Sequence, residues 1–163
     1  MNWDAIGAIG EVAGALVVII SVIYLASQVR QNTAALRAEA QRTFSVEVSR
    51  QVSDWGASER NSAIWYKVIY EQVGRAELPP ADAISASFSI MARLNLYDSA
   101  YRSYREGILS ENEFKPMLTT RIFSLPFTKD SWPIFRQELS PDFVEYMERL
   151  MPQLLESESA HGT

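Results

Sequence analysis

The sequence predicts an all-α protein, with one N-terminal transmembrane helix that continues into a soluble helical domain of five or six helices. A long apolar run opens the chain, and Glu11 is the only charged residue between Ala5 and Ala26. Beyond this run, apolar residues recur at spacings of three, four and seven, which indicates amphipathic helices. No stretch alternates apolar and polar residues for long enough to predict a strand.

The apolar run, residues 5–26, predicts a single membrane span. As an α-helix it would rise about 33 Å, close to the thickness of the hydrocarbon layer of a bilayer. Trp3 and Tyr24 flank the run and Arg30 follows it, where aromatic and basic side chains anchor a helix at the membrane interface. The predicted organisation is a transmembrane anchor over 1–28, a soluble helical domain over 29–156 and a polar flexible tail over 157–163.

The charges around the span predict its orientation. No Lys or Arg precedes it, whereas Arg30, Arg37 and Arg42 follow it. Because basic residues tend to stay on the cytoplasmic side, we expect the N-terminus outside and the soluble domain in the cytoplasm. A signal peptide normally begins with basic residues, so their absence here also favours an uncleaved anchor.

One face of the span carries glycines and polar residues. Gly10 and Gly14 form a G-x-x-x-G pair, which lets two helix backbones approach closely. Glu11 is costly in hydrocarbon unless it is protonated, paired or solvated. At 100° per residue, the candidate residues for helix association or for lining a pore are Gly7, Gly10, Glu11, Gly14, Ser21 and Gln28.

Three interpretations of Glu11 stay open at this stage. Either it lies shallow enough for water or lipid headgroups to solvate it, or it is protonated and hydrogen-bonds across a helix–helix interface, or a ring of such residues lines an ion or proton path. No basic residue within the span could pair with it. Any partner therefore comes from another chain or another protein.

Glycine, proline and capping residues divide the soluble domain into helices. The first predicted helix continues to Trp55, the second runs from Ser58 to a C-cap at Gly74, and the third runs from Pro80 to about Glu106 and is ended by Gly107. A capping box at Ser110–Glu113 opens the fourth helix. A short helix then starts at Ser131-Trp132-Pro133, and the last one runs from Ser140 to about Leu155. The apolar faces predicted for the first, third and last of these are Val29, Leu36, Ala40, Phe44, Val48, Val52 and Trp55, then Ile84, Phe88, Ile90, Met91, Leu94, Tyr97, Tyr101 and Tyr104, then Phe143, Tyr146, Met147, Leu150 and Leu154.

The residue types that most enzymes use are scarce in this chain. The single histidine, His161, lies in the polar tail, and there is no cysteine and no phosphate-binding glycine loop. We therefore expect no enzyme, no cofactor and no metal site. The net charge of −5 argues against binding to nucleic acid, which needs clustered Lys and Arg.

A few side chains of the soluble domain have two interpretations each. Asp98 is interpreted as a structural carboxylate, hydrogen-bonded to a Tyr hydroxyl or an Arg, rather than a catalytic one. Five aromatic residues could line a ligand pocket, but at helical spacing they are more typical of a core: Trp65, Phe88, Tyr97, Tyr101 and Tyr104. Four arginines are predicted to lie on a solvated face rather than in an anion site: Arg93, Arg102, Arg105 and Arg121.

Residues 5–33, AIGAIGEVAGALVVIISVIYLASQVRQNT, resemble the opening of a widespread set of uncharacterised bacterial proteins. The later segments YREGILSENEF and LSPDFVEY are similar as well. The resemblance implies a helical protein anchored in the inner membrane of a bacterium, with Glu11 and Gln31-Asn32 as part of the pattern. It implies no activity, catalytic residue or cofactor.

The leading functional hypothesis is a membrane-anchored, non-enzymatic interaction or scaffold protein that associates through the Gly and Glu face of its span. The alternative is a homo-oligomeric channel or transport subunit in which Glu11 lines the path. Both hypotheses place the chain in the lipid bilayer, with further copies of itself or another membrane protein as partner, and neither involves nucleic acid.

Overall fold

The computed structural model describes residues 3–118 and 121–154, with side chains described from residue 10 onward, and the chain is mainly helical over these ranges. These ranges contain no β-strand, so the all-α prediction is confirmed. The seven α-helices within them are α1 (Trp3–Trp55), α2 (Glu59–Tyr66), α3 (Pro80–Arg105), α4 (Glu111–Phe114), α5 (Arg121–Ser124), α6 (Pro126–Phe135) and α7 (Pro141–Leu150). Short turns follow several of them: a π turn at Lys67–Glu71 and 3₁₀ turns at Arg75–Glu77, Lys115–Met117, Arg136–Glu138 and Pro152–Leu154.

The chain divides into two compact units, Met1–Glu39 and Ala40–Thr163. This boundary falls inside α1, eleven residues beyond the predicted end of the anchor at residue 28. The predicted polar tail, with His161, lies outside the described residues. The hydrophobic core of the second unit is built mainly by α3, α6 and α7, around the fully buried rings of Tyr97, Phe127 and Trp132.

Helix α1 runs without interruption for 53 residues, which confirms that the apolar run continues into the following helix. No helix-breaking residue interrupts this stretch, because it contains no Pro and no Gly between Gly14 and Gly56. In the second unit, Phe44 and Trp55 pack on the core, whereas Val52 is exposed and its prediction as a core residue was wrong. In the first unit, Val29 and Leu36 are likewise exposed.

Helix α2 begins where the capping signal places it. The Ser58 hydroxyl accepts the backbone N–H of Asn61 at 3.1 Å, which confirms Ser58 as the N-cap. The prediction that Gly74 is the C-cap of this helix was wrong. The helix passes into the π turn instead, and Gln72 takes the left-handed conformation (φ 54°) that ends it.

Gly74 leaves room for two carboxylates that lie close to its Cα. We therefore expect Gly74→Ala to lower the free energy of unfolding by about 1–2 kcal/mol. A Cβ there would lie 2.6 Å from Oδ2 of Asp130 and 3.1 Å from Oε1 of Glu77. Both carboxylates accept backbone N–H groups, Asp130 from Arg75 and Glu77 from Gly74, so displacing them weakens those hydrogen bonds. Thermal unfolding in detergent measures the effect. Gly56→Ala, where the nearest atom is 3.7 Å away, is the control, and an equal loss in both variants would contradict this account.

Helix α3 begins at Pro80 and is followed by Gly107 at φ 74°, as predicted. Ile90, Leu94, Tyr97 and Tyr101 are buried in the core. The prediction was wrong for the N-terminal third of the helix, where two large residues of the apolar stripe are exposed, Ile84 and Phe88. The alanines at positions 83 and 86 take the buried face there instead.

The C-terminal helices follow some of the predicted boundaries. The capping box at Ser110–Glu113 is present, which confirms the start of α4. The helix predicted to start at Ser131 begins five residues earlier, since Pro126 fits the first turn, and it then continues through Pro133 to Phe135.

Helix α7 begins at Pro141 as predicted but ends at Leu150, not near 155. Met151 leaves the helical conformation (φ −135°, ψ 74°) and Pro152 follows it. Leu150, predicted to face the core, is half exposed, whereas Val144 is buried in the core.

Candidate functional site

The glycine face of α1 is open to its surroundings. Apart from the neighbouring backbone of its own helix, a Cβ added at Gly10 or Gly14 would meet no atom of the described residues within 4 Å. Glu11 is exposed, and no described side chain hydrogen-bonds or pairs with it. The same stretch of helix therefore carries a close-approach surface and a carboxylate that has no partner among the described residues.

The other polar residues predicted for this face make contacts along the helix. The Ser21 hydroxyl donates to the carbonyl of Val17 at 2.8 Å, and the Gln28 side-chain amide donates to the Tyr24 hydroxyl at 2.7 Å. Arg30, two residues after Gln28, is exposed. The surroundings of the Trp3 side chain and of Gly7 lie outside what the structure describes.

The part of α1 from Gly10 onward has the length and the apolar composition needed to cross a membrane. No residue in its most apolar 18-residue window is buried within the chain. Such a helix differs from the core helix of a soluble protein, whose apolar side chains are covered by neighbouring elements.

A second candidate site is a cavity of about 240 Å³ in the second unit. It lies among the C-terminal end of α1, α2 with its π turn, α3 and α5. Its buried walls are formed by Trp65, Arg93, Tyr97, Ile122 and Leu125, and its outer part by Trp55, Ile69, Tyr70 and Arg121.

Arg93 is the unusual residue of this cavity. Its side chain projects from the middle of α3 and is only 6% exposed. Nε donates to Oε1 of Gln51 at 2.7 Å, and the guanidinium lies 5.4 Å from the centre of the Trp55 ring. Its Nη2 atom is buried and has no hydrogen-bond partner in the described part of the chain. No carboxylate in the described part of the chain neutralises this charge, although burying an unpaired ion costs several kcal/mol.

Tyr97 has the same feature one turn along α3. The residue is fully buried, and its hydroxyl makes no hydrogen bond to a described residue. Arg121 and Tyr70 line the same cavity from exposed positions. The cavity is therefore lined by two residues, Arg93 and Tyr97, that each carry a buried donor without a partner among the described residues.

The prediction that Arg93 faces solvent was wrong, whereas Arg121 is exposed as predicted. A signal in the sequence could have found Arg93, because it lies three residues after Ile90 and four before Tyr97, on the stripe that faces the core. Nothing in the local pattern predicts that Gln51 and Trp55 of α1 would cover it, since both are about 40 residues away in the chain.

Another cavity, of about 250 Å³, lies at the junction of α3 and α7. Its charges are balanced, because Arg105 lies 3.7 Å from Asp142 and Arg149 pairs with Glu145. Burial raises the pKa of Tyr146 above its ordinary value, so its hydroxyl stays neutral at physiological pH. A cavity with paired ions calls for no external anion.

Asp98 is hydrogen-bonded, as the sequence predicted, but with a different partner. Oδ2 accepts the backbone N–H of Ser140 at 3.0 Å and Oδ1 accepts the Ser140 hydroxyl at 2.6 Å. Arg102 lies 3.9 Å away. The carboxylate therefore caps α7 from a neighbouring helix. Among the described residues, no group of three or more His, Asp or Glu side chains is placed to hold a metal ion.

In comparisons with known proteins, no family model, no curated protein and no solved structure matches this chain. The resemblance of residues 5–33 to bacterial membrane-anchored proteins therefore stays a prediction.

Proposed function

We propose that the chain is a membrane-anchored, non-enzymatic interaction protein whose helix α1 crosses a bilayer and associates through the face of Gly7, Gly10, Glu11 and Gly14. The main support is that the most apolar window of α1 is unburied within the chain. These side chains need a bilayer or another helix around them, because water would hydrate a large apolar surface at high cost.

The location proposed for the anchor is the cytoplasmic membrane of a bacterium, crossed once. The N-terminus lies outside and the second unit lies in the cytoplasm. The basic residues Arg30, Arg37 and Arg42 support this orientation, since all three follow the span. The resemblance of residues 5–33 supports the choice of membrane.

Glu11 is the residue through which the association is proposed to be specified. A protonated carboxyl of one helix hydrogen-bonds to the same residue of a second copy, and the glycines let the two backbones approach closely enough for that bond to form. Hydrogen bonds of this kind between membrane helices contribute about 0.5–2 kcal/mol. The second copy supplies the partner that Glu11 lacks among the described residues of its own chain.

Light scattering on the full chain in mild detergent, with the detergent contribution subtracted, is expected to give a dimer. Gly10→Leu and Glu11→Leu should each weaken dimerisation about tenfold, because the first separates the backbones and the second removes the hydrogen bond. Leu16→Phe, which adds volume on the opposite face of the helix, is the control and should leave the dimer intact.

Two outcomes would contradict this proposal. A monomer at every protein concentration would exclude self-association through α1. A defined assembly of four or more copies would favour the channel hypothesis instead, and ion flux into liposomes that changes its pH response in Glu11→Gln would then establish it.

A further inference from the structure

We propose that the cavity containing Arg93 and Tyr97 is a binding site for a small arylcarboxylate, that is, an aromatic ring that carries a carboxylate group. All its lining residues belong to the second unit, so the proposal does not depend on the membrane anchor. Charge, hydrogen bonding and shape each support it.

The charge of the cavity calls for an anion. Arg93 is 6% exposed, and its partners among the described residues are the neutral Gln51 amide and the Trp55 ring. A second cation, Arg121, lines the cavity from an exposed position and adds to its positive potential. A carboxylate would supply the counter-charge that the described part of the chain does not.

The buried donors fit a carboxylate in particular. Arg93 Nη2 and the Tyr97 hydroxyl both lack a hydrogen-bond partner in the part of the chain that is described, and both residues line the cavity. A carboxylate has two oxygens that accept hydrogen bonds from an arginine and a second donor at the same time. Both donor atoms are screened from solvent, so a bound carboxylate would reach them only when side chains around the cavity move.

The walls of the cavity fit an aromatic ring. Trp55 and Trp65 stack with ring centres 4.0 Å apart at one side of the cavity, and Tyr70 lies at its opening. Its volume of about 240 Å³ exceeds the roughly 150 Å³ that holds a benzene molecule in an apolar protein cavity. The remaining space accommodates the carboxylate beside the arginine.

Benzoate is the probe, titrated into the full chain in a nonionic detergent at pH 7. The tryptophans at the cavity make intrinsic fluorescence the readout, and we expect a saturable change with a Kd on the order of 0.1–1 mM for a ligand of this size. Benzamide has the same shape without the charge and should bind at least tenfold more weakly. Acetate has the charge without the ring and should also bind at least tenfold more weakly than benzoate.

The variants separate the two donors. Arg93→Met should abolish the benzoate response, and Tyr97→Phe should weaken it about three- to tenfold, because one hydrogen bond to a charged group is lost. Arg149→Gln removes an exposed arginine outside the cavity and is the control, with unchanged affinity expected.

The proposal is overturned if the wild-type chain shows no saturable response to benzoate, if benzamide binds as tightly, or if acetate does. A response that is unchanged in Arg93→Met would be partition into detergent and would overturn it too. If Arg93→Met does not fold by circular dichroism, Tyr97→Phe decides, since it removes one oxygen from a buried ring. Full affinity in Tyr97→Phe would then overturn the assigned site.

Discussion

Tyr101→Ala is expected to lower the free energy of unfolding of the second unit by about 3–5 kcal/mol. The Tyr101 ring lies on α3 where α4 and α7 meet it, and it is buried. Its centre is 5.8 Å from that of Phe114 on α4, and 5.7 Å and 4.8 Å from those of Phe143 and Tyr146 on α7. Truncation leaves a cavity among three rings and removes the contacts that hold two short helices on a long one.

Tyr101→Phe is the matched control, because it keeps the ring and removes only the hydroxyl. That hydroxyl accepts a hydrogen bond from Nη1 of Arg105 at 3.2 Å, and Arg105 is exposed, so the variant should stay close to the wild type. Urea unfolding of the full chain in detergent, followed by near-ultraviolet circular dichroism, measures both variants. A loss below about 1.5 kcal/mol in Tyr101→Ala would show that the helices repack without the ring.

The features predicted correctly from the sequence are those determined by neighbouring residues. Ser58 and the Ser110–Glu113 box begin helices because their side chains bond to backbone groups three residues away. Pro80 and Gly107 bound α3 because their own backbone angles fit those positions. Such signals are local, so they can be read before the tertiary structure is known.

The features predicted wrongly depend on what packs against a helix. Phe88 continues the apolar stripe of α3, yet it is 73% exposed because nothing described covers that end of the stripe. Gly74 is the residue type expected at a helix C-cap, but the π turn places the residue with left-handed conformation at Gln72 instead. Hydrophobic periodicity identifies a face, and only the partner element decides how much of that face is buried.

The two candidate sites differ in the same way. The Gly10, Glu11 and Gly14 face is contained in a few turns of one helix, so helical geometry alone predicts it. The cavity at Arg93 forms only when α3 packs against the C-terminal end of α1. This packing brings Oε1 of Gln51 within 2.7 Å of Nε of Arg93, which lies 42 positions later in the chain. Tyr97 and Trp65 were among the aromatics considered for a pocket, but the arginine that gives the cavity its charge was predicted to face solvent.

Asp98→Ala is expected to lower the free energy of unfolding by about 2–4 kcal/mol. The carboxylate is 6% exposed and accepts both the backbone N–H and the hydroxyl of Ser140, the N-cap residue of α7. Its removal leaves two donors of Ser140 without their partner at the point where α7 starts. A negative charge at a helix N-terminus also interacts favourably with the helix dipole, and Asp98→Ala loses that contribution as well.

Ser140→Ala and Asp98→Asn divide the effect of Asp98 into its parts. Ser140→Ala removes the hydroxyl but keeps the backbone N–H bond to Asp98, so a smaller loss of about 0.5–1.5 kcal/mol is expected. Asp98→Asn keeps an acceptor and loses the charge, and should fall between the wild type and Asp98→Ala. Asp142→Ala removes an exposed carboxylate from the first turn of α7 and is the control. If Asp98→Ala unfolds at the same urea concentration as the wild type, the carboxylate is not structural, and its burial would then need a functional explanation.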